Sequence, residues 1–418
     1  MSAATRRGLG AAMCVAGLAL AFGSAGAAVA ADAPVACAPG TLAYVATTPA
    51  ALTRLDSERA WTLATGAGVV VAVVDSGVDV GNAHLAGAVQ PGTDIVAIAG
   101  DPAGTTDLTG HGTAIAGEIA ARAVPTSGVI GLARDATILP VRVYYGDDDQ
   151  AVAAGTAPRT DRIAAGIRYA VDHGATIINV SISSTVDDPN LREAVRIAAQ
   201  RGALVVASAG NRRTADDTTD SPRYPAAYPG ALAVTAVDDL DHVTDDSIHG
   251  AHVDVAAPGT NILTAFHAAG DCQLAGAEAS TSFATAYVSA AAALIAERFP
   301  AETPAQWAYR LEVTASRLHS DASDDLAGWG VIRPYDALAF VDDGSAPGPP
   351  SPVYGAADPA QRAAQALTLR TSVDPLAPAR SISAWWLIGG GAALVAALLG
   401  SRLTPRRRRA SRLDTLRS

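Results

Sequence analysis

Between about residue 53 and residue 340, short apolar runs alternate with longer stretches of helical period. The runs Val69–Val74, Ile138–Val143, Thr176–Ile182, Ala203–Ala207 and Leu232–Val237 predict strands. They are almost unbroken in Val, Ile, Leu and Ala, as strands buried on both faces are. The intervening patterns predict helices over His111–Ala123, Ile163–His173, Asn190–Arg201, Ser282–Phe299 and Pro304–Thr314. Apolar strands alternating with helices imply an α/β fold with a mostly parallel sheet covered on both faces. In such sheets function gathers beyond the carboxyl ends of the strands, where Asp75 and Ser208-Ala209-Gly210-Asn211 lie.

The ends of the chain follow different patterns. Arg6-Arg7, an apolar run from Leu9 to about Phe22 and the small residues up to Ala30-Ala31 predict a secretory signal peptide over residues 1–31. Residues 32–52 read as an irregular N-terminal extension. Only 43 residues separate Asp32 from Val74, counting both, and a separate domain needs roughly 50, so no folding prodomain is expected. The main domain covers residues 53–341. The Pro-rich stretch around Ser345–Pro352 places a linker over residues 342–380. Ile382–Gly400 is uncharged and long enough to span a bilayer, giving a transmembrane helix over 381–401. Arg406–Arg409 in the basic tail, residues 402–418, then predict a cytoplasmic C-terminus and an extracytoplasmic main domain.

Composition narrows the chemistry. The net charge of -11 argues against nucleic acid as a partner. There is no lysine, which excludes a Ser-Lys hydrolase. Of the three cysteines, Cys14 falls in the signal peptide, leaving Cys37 and Cys272. In an exported chain one remaining pair suggests one disulfide, the alternative being two separate buried thiols. His242, His249 and His252 lie among several aspartates, but no spacing matches a zinc motif and the region reads as a solvated acidic loop.

Three residues supply the groups of a hydrolytic triad. A hydroxyl needs a base within hydrogen-bond reach, and the base needs an orienting group. Asp75 ends an apolar strand, His111 lies between two glycines, and Ser282 opens a long helix. Their order, Asp then His then Ser, is one of the known triad orders. A helix start also presents free N–H groups to a developing oxyanion, and Asn211 can supply a second donor. Taken singly, each residue has a plainer reading as a turn former, a helix-start polar residue or an N-cap.

The motifs Val71–Asp79, Gly110-His111-Gly112-Thr113 with Ala114–Gly117, Ala207–Asn211 and Ser280–Thr285 together resemble the subtilisin family of serine proteases. The overall layout is similar to its mycosin branch, membrane-anchored proteases associated with type VII secretion. The resemblance implies a subtilisin-like three-layer α/β fold over roughly Thr53–Phe340. It also implies an endopeptidase in which Asp75 orients His111, His111 is the base, Ser282 the nucleophile and Asn211 the oxyanion donor. Ser181, Ser183 and Ser184 would pair with substrate backbone, or else simply end a strand. Ser208 and Gly210 are placed in the binding site with them. No cofactor is implied; structural calcium occurs in the family, but no ligand pattern here locates one. Protein substrates and a type VII secretion membrane complex are the implied partners. A structural subunit of that complex and a general surface protease remain as alternatives. Two positions depart from the family pattern: Ser280 stands where Gly is usual, and Ala286 where Pro is usual. Ser280 is therefore expected to strain the turn or narrow the pocket.

Overall fold

The computed structural model describes residues 37, 40, 42–97, 100–214, 217–357 and 377–403. The predicted signal peptide, most of the basic tail and the later part of the linker lie outside the described residues.

Seven parallel strands form one sheet: β1 (Val70–Asp75), β2 (Thr93–Asp94), β3 (Thr137–Arg142), β4 (Ile177–Val180), β5 (Leu204–Ser208), β6 (Ala231–Val237) and β7 (Val255–Pro258). Their order across the sheet is β2-β3-β1-β4-β5-β6-β7. The chain starts in the interior at β1, runs out to β2, returns through β3 and then crosses to β4, so the winding reverses at β1. A crevice beyond the carboxyl ends is expected at that reversal. A hairpin of β8 (Ile262–Ala265) and β9 (Asp271–Leu274) stands apart from the sheet.

Alternation along the strands separates two apolar layers. Val71 and Val73 of β1 join Ile138, Ile177, Val206 and Val234 in one cluster. It packs against α3 (His111–Ala120) and α7 (Thr281–Arg298). Ala72 and Val74 join Val141, Ile178 and Val205 on the other face. That face is covered by α5 (Thr160–Asp172) and α6 (Pro189–Gln200). Every side chain from Thr281 to Ala296 in α7 is buried, as expected of a helix apolar on all sides. Smaller helices complete this unit: α1 (Ala50–Arg54), α2 (Ser57–Ala60), α4 (Asp149–Ala153), α8 (Pro304–Val313) and α9 (Pro334–Ala339).

The N-terminal extension is tied to the β8–β9 hairpin. Cys37 and Cys272 form a disulfide with Cα atoms 5.3 Å apart. Ala43 N–H donates to Ala269 O at 3.0 Å, and Asp271 N–H donates to Ala43 O at 2.8 Å. Beneath this contact Asp271 and His84 form a fully buried pair at 2.7 Å.

The Pro-rich stretch corrects the expected linker. Its first part folds back: Arg317 Nη2 donates to Pro347 O at 3.1 Å, and Ser351 Oγ donates to Asp342 at 2.5 Å. Ser351 is buried and bridges to Gly355. Pro residues exclude helix there but leave these carbonyls free to accept from the domain. The second unit holds α10 (Ala377–Leu403), in which Ile382–Gly400 is long and apolar enough to cross a membrane.

Candidate active site

The carboxyl ends of β1, β3, β4 and β5 meet the N-termini of α3 and α7 around one cleft. Asp75 is the last residue of β1 and is fully buried. His111 is the first residue of α3, placed there by its two glycines. Gly110 has φ 78°, and a Cβ on it would lie 2.4 Å from the Phe266 ring. A Cβ on Gly112 would lie 2.1 Å from Gly77 O, so α3 can approach the end of β1 only without side chains there.

His111 Nδ1–H donates to Asp75 Oδ1 at 2.8 Å, so the neutral imidazole keeps its Nε2 lone pair as an acceptor. Ser76 N–H donates to the same oxygen at 2.8 Å. Ser76 Oγ also donates to Asp107 at 2.8 Å, while Asp107 accepts from Thr113 at the start of α3. Burial works against charging the imidazole, but the charge and hydrogen bond of Asp75 outweigh it, with Asp107 and Asp147 adding to the effect. His111 is therefore held above its usual pKa. The Phe283 ring packs beside it, centroids 5.9 Å apart.

Ser282 lies in the first turn of α7 and lines the same cleft as His111. Its hydroxyl donates to Ser181 O at 3.1 Å, and Ser181 Oγ donates back to Ser282 O at 2.9 Å. The free-enzyme hydroxyl thus rests on β4's end rather than on His111. A buried chain of side chains fixes this corner: Ser289 Oγ donates to Asn179 Oδ1, and Asn179 Nδ2 donates to Ser181 Oγ, each at 2.9 Å.

Asn211 is held by its carbonyl oxygen. Oδ1 accepts from Thr281 N–H at 2.8 Å and from Thr281 Oγ1 at 2.9 Å. Its Nδ2 is thereby turned away from Thr281, on a residue that lines the cleft.

The predicted substrate-binding residues divide. Ser181, Ser183, Ser184 and Ser208 line the cleft. Ser184, however, spends both backbone groups on Tyr224, at 2.9 and 2.8 Å. Neighbouring residues of an extended strand point their backbone groups in opposite directions, so Ser183 is the residue left facing the other way. Ser208 Oγ pairs with Thr281 Oγ1 at 2.6 Å and braces α7 rather than presenting a free hydroxyl. Gly210 is not among the lining residues, and a Cβ on it would meet Arg223, Ile248 and Ser183 within 3.2 Å. Ser280 lines the cleft but has φ −123° and ψ 122°, ordinary extended values, so the expected turn strain is absent. Ala286 sits fully buried within α7.

Residues that sequence reasoning passed over also hold the site. Arg142, fully buried at the end of β3, pairs with Asp94 at 3.2 Å and Asp101 at 3.0 Å and donates to Ser76 O at 3.2 Å. Burial opposes ionisation of Asp101, but the Thr106 N–H and hydroxyl and Arg142 lower its pKa to about 2. Tyr144 is the other. An arginine at the end of an apolar strand was the available signal for Arg142. Among the described residues no group of three or more His, Cys, Asp or Glu side chains gathers as a metal site.

A sheet of this order with an acid, an imidazole and a serine at its carboxyl edge holds the groups that an α/β serine hydrolase uses. The chain belongs to the subtilase family, which it matches over residues 66–330. It is a serine protease of that family. It is 38% identical to thermitase of Thermoactinomyces vulgaris over 59% of this chain and 81% of that protein. It is 35% identical to mycosin-1 of Mycobacterium tuberculosis over 72% of this chain and 75% of that protein. Among solved structures, MycP1 from Mycobacterium smegmatis aligns with a TM-score of 0.63 at 30% identity, covering 76% of this chain and 91% of that one. The MycP3 protease of the type VII (ESX-3) secretion system aligns with a TM-score of 0.60 at 30% identity, covering 72% and 90%.

Proposed function

We propose that the protein is a membrane-anchored endopeptidase acting outside the cytoplasm, with Asp75, His111 and Ser282 as triad and Asn211 as oxyanion donor. The observation that carries this reading is the 2.8 Å bond from His111 to buried Asp75 at a cleft that Ser282 also lines. On substrate binding Ser282 Oγ turns from Ser181 O to His111 Nε2; catalytic hydrogen bonds often form only in the complex. His111 takes the hydroxyl proton as Ser282 attacks the peptide carbonyl. Asn211 Nδ2 and the free N–H groups at the start of α7 receive the oxyanion. His111 then protonates the leaving amine, and water repeats the sequence on the acyl-enzyme.

Support for anchoring comes from the apolar length of Ile382–Gly400 and the arginines that follow it. The mycosin relatives support proteins of a type VII secretion pathway as substrates or partners. The test is fluorophosphonate labelling: wild-type protein is expected to be labelled at Ser282, and Ser282→Ala to be neither labelled nor active on peptides while still folded. Equal cleavage by both proteins defeats the assignment.

A second reading draws on the resting contact of Ser282 with Ser181 O. In it the chain chiefly stabilises a membrane complex and cleaves weakly. Secretion restored by Ser282→Ala in a deletion strain supports that reading, and failure to restore it supports the first.

A further inference from the structure

Tyr144 stands two residues beyond β3, at the same edge of the sheet as Asp75. Its side chain is 6% exposed and packs with the apolar layer under α5 and α6, yet the residue also lines the cleft. The hydroxyl donates to Asp75 Oδ1 at 2.9 Å and lies 3.3 Å from His111 Nδ1. Asp75 Oδ1 therefore receives the imidazole N–H, the Ser76 N–H and the tyrosine hydroxyl at once. Asp75 Oδ2 is buried and has no partner among the described residues. The hydrogen bond between the carboxylate and His111 is thus made through the one oxygen that Tyr144 also occupies.

We propose that Tyr144 is a positioning residue for the Asp75–His111 pair, its hydroxyl sharing Asp75 Oδ1 with the imidazole and so setting how tightly His111 holds a proton. The inference rests on the reading of Asp75, His111 and Ser282 as a triad. Hydrogen bonds to an ionised acceptor draw charge from it, and an acceptor with less charge holds a neighbouring cation less firmly. The imidazole must be neutral to take the Ser282 proton, so this donor extends activity toward acid pH. Burial, together with the charges of Asp75 and Asp107, keeps the Tyr144 phenol well above its ordinary pKa, so it remains a donor across the working range. The ionisable groups facing His111 are Asp75 on β1, Asp107 and Asp147 on the flanking loops, and Tyr144 after β3. Of these only Tyr144 is neutral and able to donate to the shared oxygen.

Tyr144→Phe keeps the ring and removes the donor. In a Ser282→Ala background, where turnover cannot interfere, the His111 titration followed by NMR is expected to rise by about half a pH unit to one unit. In the active protein the acid limb of kcat/KM moves up by the same amount with KM little changed, so activity on that limb falls by about 3- to 10-fold. A merely structural tyrosine would lower the melting temperature without moving the His111 titration. An unmoved or lowered titration overturns the proposal. If Tyr144→Phe does not fold, the unaltered protein carrying 13Cζ-labelled tyrosine decides. One buried tyrosine signal is expected to shift with the His111 midpoint, and no such signal counts against the proposal. The NMR result stands apart from cleavage: a moved titration with no fluorophosphonate labelling keeps the Tyr144 contact with the Asp75–His111 pair and removes Ser282 as the nucleophile.

Discussion

Asn211 Oδ1 accepts both the backbone N–H and the hydroxyl of Thr281, the residue just before Ser282. The same contact fixes the start of α7 and orients the amide, so Nδ2 is committed without a further device. Replacing Asn211 with Leu is expected to lower kcat by about 10²- to 10³-fold with little change in KM. Steady-state kinetics on one peptide substrate check this. A rise in KM at constant kcat would place Asn211 in substrate binding instead.

Ser280 gives a contrary expectation to the one its sequence context suggests. With φ at −123° there is no left-handed strain for glycine to relieve. Ser280→Gly is expected to lower stability by up to about 1 kcal/mol through the greater freedom of the unfolded chain. A higher unfolding midpoint in urea would reveal strain after all.

Buried His84 sits between two acceptors, Arg122 O through Nδ1 and Asp271 Oδ1 through Nε2, both at 2.7 Å. A carbonyl cannot donate, so Nδ1 carries a hydrogen and the ring bridges the two acceptors. Asp271 Oδ2 further accepts from Val45 N–H and Ser127 Oγ, at 2.7 and 2.6 Å. Asp271→Ala is expected to cost about 3–5 kcal/mol because His84 Nε2, Val45 N–H and Ser127 Oγ then lose their partner in the interior. The double variant with His84→Gln should lose less than the sum of the two single changes. Denaturant unfolding measures both, and additive losses would mean the pair is not coupled.

Much of this was legible in the chain itself, and for a physical reason. Strands of a parallel sheet are apolar on both faces, so β1, β3, β4, β5 and β6 stand out as runs, and the helices between them by their period. The two-residue β2 is too short to stand out, and β7, β8 and β9 are short runs that carry Pro258, Thr264, Asp271 or Gln273. Asp75, His111, Ser282 and Asn211 announced themselves through glycines and small residues that let backbones close on one another. Tyr144 did not, because its importance depends on register. Only the pairing of Asp75 with Arg142 across β1 and β3 brings its hydroxyl to Asp75. The Pro-rich stretch misled because its contacts are made by Arg317, 30 positions away from Pro347.

Glu118 in α3 is 2% exposed, and neither carboxyl oxygen has a partner among the described residues. Burial pushes its pKa well above the usual 4.5. The folded protein therefore keeps a proton that the unfolded chain releases. This stabilising contribution is complete below about pH 4.5 and is lost as pH rises toward the folded value. Unfolding free energy measured from about pH 5 to about pH 9 is expected to fall less steeply in Glu118→Gln than in wild type. Parallel curves would refute this.

The Cys37–Cys272 bond encloses Asp75 and His111 but not Ser282, which follows it in the chain. A cut in the exposed segments 147–148 or 218–220 would leave Asp75 and His111 on one fragment and Ser282 on the other. The bond joins those two fragments, since Cys37 lies on the first and Cys272 on the second. A molecule cut at either place thus stays a single covalent object, with Asp75, His111 and Ser282 still joined.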